Sequence, residues 1–306
     1  MVMPARFSSR PARFILSAAF VLSALISLSL PACASDGNDA ISNSPPIETA
    51  ATIPEPPPIQ DNSFLVEEAY NQEFGVVQHI NTFMRSWTTH DWVYTFTQEW
   101  PAPAVKHQLS YTVSAVANSD FNGAPGMGDF ALNYRYQLVG NGETRIALAP
   151  RISLLAPTGS PRFGRGFGGT GVQTNIPLSW VVTKHLVTHW NAGATIIPSA
   201  RNDIGDRAMA TGYNLGQSCI WLIHPRFNAM LETVWMGSES VVGPGQTQRA
   251  HDLLVNPGVR WAFNFPSGLQ IVPGISVPIG VGPSAGDKGI FVYLSFEHPF
   301  RKIVGK

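Results

Sequence analysis

The chain has 306 residues, enough for one large domain or two ordinary ones. Only 13% of them are charged, against roughly 25% in a typical soluble domain. Lys+Arg and Asp+Glu number 20 each, so no net charge draws the chain to nucleic acid, which is not expected among its partners.

The first 34 residues read as an export signal. Arg6, Arg10 and Arg13 precede an uncharged apolar run from Phe14 to Leu30, and Ala32-Cys33-Ala34 supplies small residues for cleavage after Ala34. A second reading of the same residues is a lipobox, Leu30-Pro31-Ala32-Cys33, with Cys33 lipidated; Pro31 is an unusual occupant of that motif. Either way the chain is exported. Cys219 is the only other cysteine, so a CxxC or Cys/His metal cluster is excluded and no metal or cofactor is expected.

Residues 35–62, with "SPPIETAATIPEPPPIQDN", are rich in Pro and poor in large apolar side chains, which predicts a disordered linker. The run "FLVEEAYNQE" (64–73) places Leu65 and Ala69 at helical spacing. Residues 63–74 are therefore expected as a short helix, either a tether or a plug carrying Glu67, Glu68 and Glu73 into a lumen.

From residue 75 to 300 a two-residue period dominates. In "DFALNYRYQL" (129–138), Phe130, Leu132, Tyr134, Tyr136 and Leu138 alternate with Asp129, Asn133, Arg135 and Gln137. Similar alternation runs through 92–100, 172–182, 253–265 and 290–297. Tight turn signals at 100–104, 139–143, 183–185, 224–226 and 266–268 are separated by longer polar connections, among them "TGSPRFGRGFGGTG" and "GSESVVGPGQTQRA". That rhythm predicts about twelve antiparallel strands. Trp residues cluster near the strand ends, and no mature stretch is long and apolar enough for a membrane helix. Together these features predict an all-β, closed antiparallel transmembrane barrel in the cell outer membrane, with 301–306 as a tail. A soluble sandwich or lipocalin-like barrel is the alternative.

If the apolar set faces lipid, the pleat forces the other set into the lumen. The expected lumen-lining residues are Glu99, Asp129, Asn133, Arg135, Gln137, Arg145, Arg151, Gln173, Asn175, His189, Glu232, Arg260 and Glu297. Arg135, Arg145 and Arg151 would form a positive strip, with Glu99, Glu232 and Glu297 as counter-charges. The Gly-rich run 159–171 reads as a loop at a barrel rim, either free or folded inward; it lacks the Lys-Ser/Thr of a phosphate loop. Pro150, Pro177, Pro198, Pro257, Pro273 and Pro278 fall inside predicted strands, marking either bulges or a sideways gap in the wall.

The succession "GMGDFALNYRYQL", "RISLLAPTG", a Gly-rich loop and "GVQTNIPLSW" resembles bacterial outer-membrane proteins of the family named for the MetA pathway of phenol degradation. "EEAYNQEFGVVQHI" is similar to the opening of a related transporter-like group. In "DKGIFVYLSF", Asp287, Gly289, Val292 and Leu294 match the signal read by the barrel-assembly machinery, although the chain runs six residues past Phe300. The resemblance implies a channel or transporter for small, hydrophobic or aromatic solutes, with membrane lipid and lipopolysaccharide as neighbours. It implies no catalytic residue. Two other classes stand beside it: a lipid-acting barrel enzyme and a closed, structural barrel. Against the enzyme, His107 and Ser110 lie three apart, on opposite faces of a strand.

Overall fold

The computed structural model describes residues 59–121 and 123–300. The predicted signal peptide, Cys33, the linker up to residue 58 and the tail 301–306 lie outside the described residues.

The fold is a closed antiparallel barrel of twelve strands. In chain order these are β1 (Val76–Ser86), β2 (Trp92–Pro101), β3 (His107–Ala117), β4 (Gly126–Met127 and Phe130–Tyr136), β5 (Ile146–Leu148 and Arg151–Ala156) and β6 (Gly171–Asn175 and Leu178–Thr183). They continue as β7 (Leu186–Arg201), β8 (Arg207–His224), β9 (Phe227–Gly243), β10 (Gln246–Trp261, then Phe263–Asn264), β11 (Gln270–Ser276 and Ile279–Gly280) and β12 (Gly289–Pro299). Each strand pairs with its sequence neighbours, and β1 closes on β12 from Val76↔Pro299 to Ser86↔Gly289. All five expected tight turns fall at one end, here the turn end, where β1 also begins and β12 finishes.

The distribution of polarity decides between the two readings of the alternation. Leu132 and Leu138 are 47% and 55% exposed, while Asn133 and Arg135 between them are 6% and 3% exposed. The same inversion holds around the wall. Ile152, Leu154, Val172, Trp180, Ile196, Trp221, Leu231 and Ile275 are exposed, whereas Gln78, Gln108, Asn175, Asn214, Ser218, Glu232 and Arg260 are buried. A water-soluble barrel or sandwich would bury the first set; only a bilayer makes this arrangement favourable. On β9 the outward residues run from Phe227 to Trp235, matching the roughly 9–11 residues with which a tilted strand crosses a bilayer.

Above that stretch β9 and β10 continue as strands. The segment 237–250, expected as a long loop, is instead a ribbon with a tight turn at Pro244-Gly245. Outside the hydrocarbon a strand needs no apolar face. Here the outward Arg249 bonds Glu239 at 2.9 Å and lies over the Tyr213 ring.

The prolines do not open the wall. Pro257 and Pro273 sit in continuous ladders with β9 and β12, opposite Leu231 and Leu294; between β10 and β11 the ladder is interrupted beside them, and there the Val277 amide donates to the Pro257 carbonyl. At Pro150 and Pro177 strands β5 and β6 break together, yet Leu148↔Leu178 and Arg151↔Asn175 keep one register on either side. The backbone amide of Ala149 donates to the Pro177 carbonyl across the break. At Pro278 the Gly289 amide donates to the proline carbonyl, and Pro198 lies in a bulge of β7. Each proline costs a donor, but its carbonyl or its neighbours maintain the contact.

Candidate functional site

The lumen is occupied by the chain's own N-terminal segment. Residues 59–74, expected as linker end and short helix, form no helix; they run through the barrel interior as an irregular strap with bends at Asp61, Phe64–Val66 and Ala69. Both ends of the strap lie at the turn end. Gln60 donates from Nε2 to the Gly142 carbonyl in the β4–β5 turn, and Glu73 leads directly into β1. Ile59, Asp61, Ser63–Val66, Glu68–Tyr70 and Gln72 are buried.

An irregular buried segment leaves its backbone groups without partners unless the surroundings supply them. Here the wall's inward side chains do so. The Glu232 carboxylate accepts the amides of Phe64, Leu65 and Val66 at 3.0–3.2 Å, and it also accepts from Asn256 Nδ2 at 2.6 Å. Asn191 clasps Glu67 by both its amide and its carbonyl. Ser179 Oγ accepts the Ala69 amide at 2.8 Å, Gln137 Oε1 that of Asn71, and Gln108 Oε1 that of Gln72. Arg135 donates to the carbonyls of Glu68 and Tyr70, and Arg260, 1% exposed, to those of Asp61 and Asn62.

The strap's side chains divide into two groups. Phe64 enters an apolar slot, edge-on to Phe291 and Tyr293 at centroid distances of 5.8 and 6.3 Å. The slot exists because Gly258 and Gly274 carry no side chain; a Cβ on either would run into the Phe64 ring. Glu67 instead meets Arg151 in a two-pronged ion pair, Nη2–Oε1 at 2.6 Å and Nε–Oε2 at 3.0 Å. Asn133, Ser153 and Gln173 hold the remaining faces of that guanidinium. Glu68 is buried, and its Oε2 has no hydrogen-bond partner among the described residues.

Most residues read from the alternation as inward do lie inside: Glu99, Asn133, Arg135, Gln137, Asn175, His189, Glu232 and Arg260 are buried, and Asp129, Arg151, Gln173 and Glu297 share their face. Arg145 does not. It precedes the first paired residue of β5, is exposed, and turns back to the carbonyls of Val181 and Val182. The expected positive strip is therefore absent: Arg135 and Arg151 are engaged by the strap, with Glu99 3.7 Å from Arg135. Glu232 binds strap amides rather than an arginine. Of the strap acids, Glu67 meets the wall, Glu68 is buried and Glu73 is exposed at the exit. Gly289 opens β12, and Val292 and Leu294 lie on its outward face.

One contact escaped the sequence reading. Ser179 on β6 lies opposite His189 on β7, with Oγ 2.8 Å from Nδ1; a search along single strands could not find it. The pair lies under Ala69 and Tyr70 and holds the strap. His107 faces outward against the Tyr134 hydroxyl while Ser110 faces inward, as the pleat requires.

Above the strap, towards the longer loops, lies a cavity of about 170 Å³. Phe64–Glu67 form its floor; Thr82, Thr95, Thr97, Ser110, Thr112 and Ser114 line one wall with hydroxyls. Leu155, Phe167 and Arg151 complete it. The Gly-rich connection between β5 and β6 folds inward here: the amides of Gly159 and Phe167 donate to the Asp129 carboxylate, and Phe167 packs with Ile197, Ala200, Ala210 and Val241.

These features define a transmembrane-type barrel with an internal strap and a polar vestibule. No family model matches the sequence, and no curated protein matches it. Among solved structures, an outer membrane channel from Pseudomonas putida is similar in fold, with a TM-score of 0.56 at 12% identity over 75% of this chain and 97% of that one. The NanC porin aligns with a TM-score of 0.48 at 9% identity, covering 72% of this chain and 98% of the porin. At these identities the likeness is one of fold.

Proposed function

We propose that the protein is an outer-membrane channel for small solutes, closed in this structure by a strap that can leave. The observation carrying this reading is how the strap is bound. Among the described residues, 59–72 make no backbone-to-backbone bond with the wall; wall side chains supply their partners. The barrel ladder is complete without them, so the strap can withdraw through the turn end while the wall stays closed. With that end in the periplasm, both strap ends already lie on the side to which it would retreat. The vestibule then faces the exterior, and its mixture of hydroxyls with Leu155, Phe167 and Phe64 suits a small solute with both polar and apolar parts, aromatic compounds included.

The test is a reversible lock. Ser63 Oγ on the strap lies 2.8 Å from Ser218 Oγ on β8, a separation that cysteines in both places can bridge. In a Cys219→Ala background, the oxidised Ser63→Cys/Ser218→Cys protein should be silent in planar bilayers, and reduction should restore intermittent openings. A reduced, folded protein that neither conducts nor speeds solute entry into liposomes would refute the channel.

A further inference from the structure

We infer that Arg151 is the binding site for the carboxylate of a small solute arriving through the vestibule, and that the solute opens the channel by replacing Glu67. This rests on the channel reading above. The Arg151 fork is the geometry by which guanidinium recognises a carboxylate, and the present occupant belongs to the movable strap. Both members of the pair line the cavity, and their side chains retain 9% and 18% exposure. The fork is aimed and rigid: Asn133, Ser153 and Gln173 fix the guanidinium from the wall, so it keeps its orientation when Glu67 leaves.

Charge makes the exchange exclusive. The acids facing this space are Glu67, Glu99 and Asp129; Glu99 lies against Arg135, and Asp129 is held by two loop amides. Arg151 is thus the cation whose carboxylate partner comes from the strap. A second anion cannot enter while Glu67 remains, because like charges would share a poorly hydrated site. Solute carboxylate and seated strap therefore compete. A tethered carboxylate competes with an effective concentration on the order of millimolar, so a free one must act in the millimolar range. Leu155 and Phe167 beside the fork favour an acid with an apolar body, and benzoate is a suitable probe.

The experiment measures openings of the full chain in planar bilayers, with benzoate or its neutral analogue benzamide added to the loop side. Benzoate at millimolar concentration should raise the open fraction several-fold and benzamide should not. Glu67→Gln should shift the half-effective benzoate concentration down about tenfold and let detergent-solubilised protein bind benzoate by calorimetry. Arg151→Lys keeps the charge but loses the fork; its openings should become insensitive to benzoate. Equal action of benzamide, or no benzoate binding by folded Glu67→Gln protein, overturns the proposal. If the reduced cysteine pair conducts while benzoate does nothing, the carboxylate site fails and the channel stands; if neither conducts, the channel itself fails.

Discussion

The two halves of the strap are held by different physics. From Asp61 to Val66 the anchor has an apolar centre inside a polar frame: Phe64 fills a slot cut by two glycines among Phe291 and Tyr293, while Glu232, Arg260, Ser218 and the partners of Asp61 bind the residues around it. From Glu67 to Gln72 the anchor is mainly polar, built of one ion pair and bonds to Asn191, Ser179, Gln137 and Gln108, with Tyr70 packed against His189 and Ala147 beside them. Water or a polar solute can substitute for the polar bonds, but neither can fill the slot that Gly258 and Gly274 leave for the Phe64 ring. The strap should therefore peel first from its Glu67–Gln72 half, with Phe64 as the last contact to break.

The largest break in that comparison is Phe64→Ala. Truncating a buried Phe costs about 3–5 kcal/mol, which is more than a hundredfold in the balance between seated and withdrawn strap. The variant should stay open for most of a bilayer recording, and protease should cleave the strap without cutting the barrel. A variant gating like the parent would show that the apolar slot is not the anchor.

A smaller effect of opposite sign is expected at Glu68. Its buried, unpartnered carboxyl oxygen costs about 1–3 kcal/mol, and Glu68→Met removes the polar atoms while keeping the length of the side chain. The open fraction should fall, and protease should cut the strap more slowly. Faster cleavage would mean that the Glu68 carboxyl holds the strap in.

The smallest effect sharpens the polar half. Gln137→Ala removes the bonds to Asn71 and Ala69, each worth about 0.5–1.5 kcal/mol net. Openings should become a few-fold more frequent, with unchanged conductance. An effect as large as that of Phe64→Ala would erase the distinction between the halves.

The wall was readable because its rule is local. A strand's two-residue period assigns each side chain to one face, so Asn133, Arg135, Gln137, Glu232 and Arg260 could be placed inside from alternation alone. Arg145 shares that parity but precedes the first paired residue of β5, and parity loses its force where pairing ends. The strap was not readable for the opposite reason. Its shape is imposed by partners about 200 residues away or more, such as Arg260 against Ile59 and Asp61 and Ser295 against Asp61, while its own Leu65 and Ala69 spacing mimics a helix. Likewise, the polar composition of 237–250 suggested a loop because a strand above the membrane carries no apolar face.

Asp61 has a consequence for how the molecule is made. Its carboxylate accepts from Gln78 on the first strand and from Tyr293 and Ser295 on the last, so it spans the seam where the sheet becomes a cylinder. That seam joins residues more than two hundred positions apart, the slowest kind of contact for a chain to find. A side chain that bonds both edges ties them together from inside the cylinder, beside their own ladder. The segment that fills the barrel interior thus also bridges the two strands whose pairing makes the sheet a cylinder.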